Sequence, residues 1–128
     1  MANGDTVILA VGSYKCSEGT CADSDRMLHA DGLNGEVKCF EDNASCVLDG
    51  ENARRVMQVE GTGSGTLTFR ALTFNKGYAG SGGGVHIGNG AVVDLELCTF
   101  SNNRDTSGTY GGGAIHVHDS GTTVNIYG

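Results

Sequence analysis

The stretch that decides the fold runs over residues 99–117 and reads TFSNNRDTSGTYGGGAIHV. An earlier stretch, 73–87, has the same order: a Thr-Phe pair, a polar turn, three glycines and a His between two apolar residues. The phenylalanines of the two pairs are 26 residues apart, and the histidines, His86 and His116, are 30 residues apart. Self-similarity at such a period indicates a solenoid, in which each repeat stacks on the next and shares its core.

Three columns of short strands emerge when the rest of the chain is aligned on this repeat. The first holds Val37–Cys39, Leu67–Phe69, Val93–Leu95 and Val124–Ile126; the second holds Cys46–Leu48, Leu72–Phe74 and Cys98–Phe100; the third holds Met57–Val59, Val85–Ile87 and Ile115–Val117. The residues alternate between the two faces of each strand, and the alignment sets Val37 beside Leu67 on the inward face. We therefore predict an all-β fold: a single-stranded right-handed parallel β-helix of about 4–5 coils, each with three short strands.

The length of 128 residues suits one domain, 1–128. Residues 1–35 fit the repeat less well, so we expect an irregular first coil or cap there and regular coils over 36–128. Met1 stands just before a strand-like run with no visible signal peptide, and residues 124–128 stop inside a strand. These two features predict a trimmed chain or a fragment of a longer solenoid, or an end that pairs with a second copy.

The composition argues against several classes of partner. The chain has 22 Gly and no Pro, which favours a fold with many tight turns. Its net charge is −7 with only eight Lys and Arg, whereas binding to nucleic acid or to anionic lipid requires a basic patch. No apolar run approaches the ~20 residues that span a bilayer. We expect neither a nucleic-acid partner nor a membrane span.

The five cysteines are Cys16, Cys21, Cys39, Cys46 and Cys98. Cys16 and Cys21 flank a short polar segment, which predicts a loop disulfide and with it an extracellular or cell-surface location. The odd number leaves at least one thiol unpaired within the chain. Cys46 and Cys98 fall in one inward column two coils apart, a distance of about 9.6 Å that is too long for a disulfide. We expect both to be buried and not bonded to each other, and the pairing of Cys39, Cys46 and Cys98 stays open.

Two tetrapeptides carry a family resemblance. The GGAI of 112–115 and the FSNN of 100–103 resemble the GGAI and FxxN motifs of polymorphic outer-membrane protein repeats, within the pectin-lyase-like right-handed β-helix superfamily. The preceding repeat departs from both motifs, with GGVH at 83–86 and Gly77 in place of the Asn. The resemblance implies a secreted or surface-exposed solenoid that acts in adhesion. The wider superfamily also contains polysaccharide lyases, hydrolases and epimerases, so the fold does not decide the activity.

A first candidate site lies on the outward face of the third column. His86 and His116 occupy equivalent places between inward apolar residues, His118 lies on the same face, and Asp119 follows it. An imidazole–carboxylate patch of this kind can bind a metal or transfer protons. The alternative, which we favour, is an ordinary ladder of solvated polar side chains.

A second candidate site is formed by Asp94 and Glu96, which should face outward on one strand of the first column. Polysaccharide lyases of the resembled superfamily use paired carboxylates or calcium in this way, and they also need an Arg or Lys as base. Arg70 is the basic residue in reach. The alternative is again a solvated face, so we assign no catalytic residue and no metal ligand, and expect no cofactor unless calcium binds this pair.

The leading functional hypothesis is a non-enzymatic surface or extracellular β-helix module that acts in adhesion, in structure or in contact with glycans. A carbohydrate-active enzyme of the lyase or epimerase type is the first alternative, and an accessory structural subunit of a larger assembly is the second. The partners that we expect are polysaccharides or other glycans, other proteins, or a second copy bound end to end.

Overall fold

The computed structural model describes residues 3–18, 21, 24–61, 65–108 and 111–128. The strands are β1 (Thr6–Leu9), β2 (Gly12–Lys15), β3 (Arg26–Asp31), β4 (Gly35–Cys39), β5 (Cys46–Asp49), β6 (Arg55–Glu60), β7 (Thr66–Arg70), β8 (Thr73–Asn75), β9 (Tyr78–Ala79), β10 (Val85–Ile87), β11 (Val92–Glu96), β12 (Thr99–Ser101), β13 (Arg104–Asp105), β14 (Ile115–Val117) and β15 (Thr123–Tyr127). The one helical segment within these ranges is a single 3-10 turn at Cys16–Glu18. No helix in the described part of the chain is long and apolar enough to cross a membrane.

The strands form three main parallel sheets that run along the molecule. Sheet 1 has the order β1-β4-β7-β11-β15, sheet 2 has β2-β5-β8-β12, and sheet 3 has β3-β6-β10-β14, while β9 and β13 form a short fourth sheet. Each strand pairs with the strand one coil away, and every described pair is parallel. The fold is therefore a parallel β-solenoid of about four turns, as the repeat predicts.

The first coil is more regular than the sequence indicates. Strands β1, β2 and β3 all lie within 1–35, and each pairs with a strand of the second coil. Gly12 pairs with Cys46 and Tyr14 pairs with Leu48, so both occupy inward positions. A glycine at an inward position interrupts the apolar alternation, which explains why the first coil is hard to recognise from its sequence.

The register agrees with the alignment in the third column and differs at one strand pair, β4 with β7, in the first. Val85 pairs with Met57 on one side and with Ile115 on the other, as predicted. Val37, however, pairs with Phe69, whereas Leu67 pairs with Gly35. The predicted register was wrong by two residues. Because the side-chain period of a strand is two, this shift leaves Val37 on the core side.

The interior is a continuous apolar column. The buried core contains Cys39, Cys46, Leu48, Val56, Met57, Val59, Leu67, Phe69, Leu72, Phe74, Val85, Ile87, Val93 and Leu95, with smaller alanines at its edges. The Phe74 ring stacks on Phe100 of the next coil at a centroid distance of 4.9 Å and meets Phe69 edge-on at 6.1 Å. The first coil is filled less completely: an apolar cavity of about 690 Å³, partly open to solvent, lies at this end of the solenoid, and Ala30 is among the residues that line it.

Asn103, the Asn of the FxxN tetrapeptide, joins two coils through both ends of its amide. Its Oδ1 accepts a hydrogen bond from the Gly77 backbone N–H at 2.8 Å, and its Nδ2 donates to the Phe74 carbonyl at 2.9 Å. A Cβ atom at residue 77 would overlap the Gly83 backbone and lie 2.8 Å from Oδ1 of Asn103. Position 77 therefore has no room for a side chain, first because of the Gly83 backbone and then because of the Asn103 amide.

The cysteines form two disulfides, Cys16–Cys21 and Cys39–Cys46, and Cys98 is free. The first is the predicted loop disulfide. The second closes the corner between sheet 1 and sheet 2 within one coil. Cys46 and Cys98 are not bonded to each other, as expected, and Cys46 is fully buried. Cys98 is only partly buried, contrary to expectation, although burial still raises the pKa of its thiol.

Candidate functional site

The outward side of sheet 1 carries a polar surface near the last coils, which we call the carboxylate face: Arg70, Asp94, Glu96, Asn125 and Tyr127. Val93 and Leu95 of β11 are fully buried, so the alternation of the strand turns Asp94 and Glu96 outward. Cross-strand pairing sets Asp94 beside Asn125 and sets Glu96 between Arg70 and Tyr127. Asp94 and Glu96 thus have the outward placement that the sequence predicts.

Arg70 is held by two carboxylates. Its Nη1 lies 2.8 Å from Oε2 of Glu96, while its Nε and Nη2 donate to both carboxylate oxygens of Asp42 at 2.9 and 2.7 Å. The hydrogen bonds to Asp42 and Glu96 raise the pKa of Arg70, so it stays protonated and cannot act as a base. In the same pair, Arg70 lowers the pKa of Asp42.

Asp42 is the member of this group that sequence reasoning missed. It lies in the turn between β4 and β5, outside every strand column, so the repeat gives no signal for it. Its contact with Arg70 depends on how that turn folds over sheet 1. Only the three-dimensional arrangement brings the two together.

A shallow depression of about 350 Å³ lies on the carboxylate face. Its lining includes Arg70, Asp94, Glu96, Leu97 and Tyr127. Asn125 donates from Nδ2 to Oδ1 of Asp94 at 3.0 Å. Tyr127 is 53% exposed. The depression therefore presents two carboxylates next to an exposed tyrosine side chain.

The outward side of sheet 3 carries a second surface, the histidine face: Gln58, His86, His116 and His118. His86 pairs with Gln58 of the preceding coil and with His116 of the next. The ring centroids of His86 and His118 are 4.5 Å apart, those of His86 and His116 are 5.1 Å apart, and those of His116 and His118 are 5.5 Å apart. The structure thus brings together all three histidines that the sequence singles out.

Asp119 completes the predicted patch. Its Oδ2 lies 3.0 Å from Nδ1 of His118, and the Asn89 backbone N–H donates to the same oxygen at 3.0 Å. The hydrogen bond from Asn89 lowers the pKa of the Asp119 carboxyl, with His118 contributing in the same direction. The carboxylate is therefore anchored to the turn after β10 and fixes the orientation of the His118 ring.

His86 is a partly buried ring of the group. Burial lowers its pKa to about 4, and the nearby Arg55 guanidinium acts in the same direction. Within the described ranges, its buried Nδ1 has no hydrogen-bond partner. The imidazole is neutral at pH 7 and keeps an unused polar atom beneath the surface.

His29 and Glu60 extend this surface toward the first coil, and sequence reasoning missed both. His29 pairs with Gln58, and its Nε2 lies 3.2 Å from Oε2 of Glu60. Hydrogen bonds from Gln58 and then His29 lower the pKa of Glu60. The signal for His29 is present in the sequence, because Leu28-His29-Ala30 has the same apolar–His–apolar order as the later strands.

No group of three or more His, Cys, Asp or Glu side chains is arranged to hold a metal ion as it stands, among the residues that the structure describes. For calcium at Asp94 and Glu96, the Arg70 guanidinium is unfavourable, because it already neutralises Glu96 at 2.8 Å. Calcium binding there stays a prediction.

Comparisons with protein-family models, with curated protein sequences and with solved structures found no match to this chain. The observed solenoid agrees with the β-helix part of the resemblance noted above. The assignment to polymorphic outer-membrane protein repeats rests on the GGAI and FxxN tetrapeptides alone.

Proposed function

We propose that this chain is a non-enzymatic recognition module of an extracellular β-solenoid protein, and that it binds neutral glycans through the carboxylate face. The observation that carries the proposal is the depression in which the exposed Tyr127 ring lies beside Asp94 and Glu96. Carboxylate oxygens accept hydrogen bonds from sugar hydroxyls, and an aromatic ring offers a flat apolar surface to the C–H side of a sugar.

The charge of the chain favours a neutral ligand over an acidic one. The net charge is −7, and Arg70, the cation among the described residues that line the depression, is already shared between Asp42 and Glu96. An acidic polysaccharide would meet a surface of like sign without a free positive partner. Neutral sugars avoid this repulsion and can use the outward oxygens as acceptors.

Two disulfides support an extracellular setting for the module. Structural disulfides form and persist mainly in oxidising compartments. Cys16–Cys21 and Cys39–Cys46 both close short loops, with sequence separations of 5 and 7. The likeness of 100–103 and 112–115 to surface-protein repeats points to the same setting.

The enzymatic alternative finds less support in the geometry. A lyase needs a base that can lose its proton near neutral pH, and Arg70 is held protonated by its two carboxylate partners. Asp94 and Glu96 lie two residues apart on one strand, and hydrolysis by such a pair of carboxylates would not require Arg70 as a base. Hydrolysis is therefore the enzymatic alternative that the experiment has to test.

The test is to incubate the protein with a panel of neutral and acidic polysaccharides, with and without calcium, and to measure bound protein and released or unsaturated product together. We expect retention on a neutral polysaccharide without product, weakened about tenfold or more by Tyr127→Ala. Tyr78→Ala is the matched control, because Tyr78 is also exposed, at 41%, but lies on β9 away from the depression.

Three outcomes would overturn the proposal. Product that disappears on changing Asp94 or Glu96 would make the protein an enzyme. Equal losses for Tyr127→Ala and Tyr78→Ala would move binding away from the carboxylate face. Retention by no member of the panel would direct attention to protein partners.

A further inference from the structure

The histidine face contains three imidazoles spaced as the ligands of one metal ion are spaced. Zinc binds imidazole nitrogen at about 2.0–2.1 Å in a tetrahedral arrangement, which sets the ring centroids of two ligands about 5 Å apart. The centroids of His86, His116 and His118 are 4.5, 5.1 and 5.5 Å apart. This surface lies on sheet 3, so the argument is independent of the carboxylate face on sheet 1.

The backbone that carries these rings is fixed by two paired strands. His116 lies on β14 directly opposite His86 on β10, in a parallel pair whose register includes both. His118 follows His116 by two residues and returns to the same side, since side chains alternate along an extended chain. His116 on β14, His118 just after the end of that strand and His86 on β10 therefore bring three rings to one face of the main chain.

Asp119 orients His118, one of the three proposed ligands. Its carboxylate, 3.0 Å from Nδ1 of His118, makes Nδ1 the protonated nitrogen and leaves Nε2 with its lone pair. Metal-bound histidines commonly donate their second nitrogen to a carboxylate in this way, which fixes the tautomer and the ring orientation. Asn89 holds the carboxylate from the other side through its backbone N–H.

Gly88 makes room for the His118 ring. A Cβ atom at residue 88 would overlap Nε2 of His118, so any side chain there would displace the ring. Close by, Nδ1 of His86 is buried without a hydrogen-bond partner in the described part of the chain. A buried nitrogen without a hydrogen-bond partner is unfavourable, and a bound cation would satisfy it once the ring rotates.

We propose that His86, His116 and His118 bind one late first-row divalent cation, with Zn²⁺ as the test ion, and that this ion joins the last coil to the coil before it. Imidazole ligands favour zinc, copper and nickel over calcium and magnesium. The ligand nitrogens do not converge until the side chains rotate. The cost of that rotation sets the expected dissociation constant on the order of micromolar.

The test is a calorimetric titration of the full chain, freed of metal by chelation and dialysed, with ZnCl₂ and separately with CaCl₂. We expect about one Zn²⁺ per chain and no heat from calcium at the same concentration. The variants H86Q, H116Q and H118Q should each weaken Zn²⁺ binding by at least about tenfold. H29Q is the matched control, because His29 lies on the same sheet but outside the ring cluster.

Two further measurements keep the test decisive if a variant folds poorly. In the unsubstituted protein, Zn²⁺ should shift the imidazole NMR signals of the three histidines and leave those of His29 unchanged. Amide exchange over β14 should slow when Zn²⁺ is present, because the ion ties this strand to β10. A C98S variant should bind as the parent does, which excludes the free thiol as the ligand.

The proposal fails if Zn²⁺ at about 100 µM gives neither heat nor imidazole shifts. It also fails if binding is insensitive to H116Q and H118Q, or if H29Q weakens binding as much as they do. None of these results bears on glycan binding, which is tested at the carboxylate face on sheet 1.

Discussion

Two side-chain-bearing residues, Ala71 and Leu97, occupy the left-handed backbone region at matching corners between sheet 1 and sheet 2. Their φ angles are 57° and 53°. Such a conformation costs a residue with a Cβ roughly 1–2 kcal/mol. Stacking offsets this cost, because the Ala71 N–H donates to the Glu96 carbonyl and the Leu97 N–H donates to the Tyr127 carbonyl, both at 2.9 Å.

A prediction at this scale concerns Glu51, which receives hydrogen bonds from Ser17 and, at 2.8 Å, from Arg54. These contacts lower the pKa of Glu51 to about 2, from an ordinary value of 4.5. Because the folded pKa is lowered, their stabilisation is complete above pH 4.5 and is lost as the pH falls toward 2. The Ser17 amide shift, followed by NMR from about pH 6 downward, should therefore titrate with a midpoint near 2.

The Glu51→Gln variant supplies the control, since the Ser17 amide should then show no such titration. A midpoint near 4.5 in the parent protein would contradict the docking of the Cys16–Cys21 loop on Glu51.

A second prediction concerns Asn103, whose amide bonds both Gly77 and Phe74. Asn103→Asp keeps the acceptor for Gly77 but points a carboxylate oxygen at the Phe74 carbonyl. We expect the free energy of unfolding to fall by about 1–3 kcal/mol in urea denaturation. The control is Asn52→Asp, an exposed site at φ 54° that Asp also tolerates, where the change should stay within about 0.5 kcal/mol. Similar losses at both sites would show that Asn103 is not a bridge between coils.

At the scale of the strand, the first coil is the least well filled. In β3, Ala30 occupies the inward position that Val59, Ile87 and Val117 hold in later coils, and it lines the apolar cavity. Ala30→Val should therefore raise the free energy of unfolding by about 1 kcal/mol, because the added methyl groups fill existing space. Ala53→Val, at an exposed turn, should change it by less than about 0.5 kcal/mol. A loss of stability at Ala30 would mean that the cavity is not available to the core.

The strands show how far the sequence could predict the fold. The second and third columns were predictable in register because His86 and Phe74 recur with their neighbours in successive coils. In the first column, the pairing of Leu67, Val93 and Val124 was predicted correctly, and only the pairing of β4 with β7 was shifted by two residues, because Gly35, which pairs with Leu67, carries no side chain to mark the inward face. Strand β3 was not predicted, although Leu28-His29-Ala30 repeats the apolar–His–apolar pattern. The irregular cysteine-bearing segment before it led to the prediction of a cap over the whole of 1–35.

At the scale of the whole molecule, the two candidate surfaces lie on different sheets of one solenoid. Sequence periodicity could place Asp94 and Glu96 on one face and the histidines on the other, since both follow from alternation within a strand. It could not show that Arg70 is shared with Asp42, or that Asp119 is anchored by Asn89. Those contacts come from turns whose conformations cannot be predicted from the repeat. The same contacts decide which chemistry each face supports.

The most direct test of glycan binding at the carboxylate face is chemical-shift mapping. The labelled protein would be titrated with an oligosaccharide from the neutral polysaccharide that retains it most strongly. The account predicts amide shifts centred on Asp94, Glu96 and Tyr127, which line the depression, with Gln58 and His116 unchanged. Shifts centred on sheet 3, or an absence of shifts at saturating oligosaccharide, would contradict it.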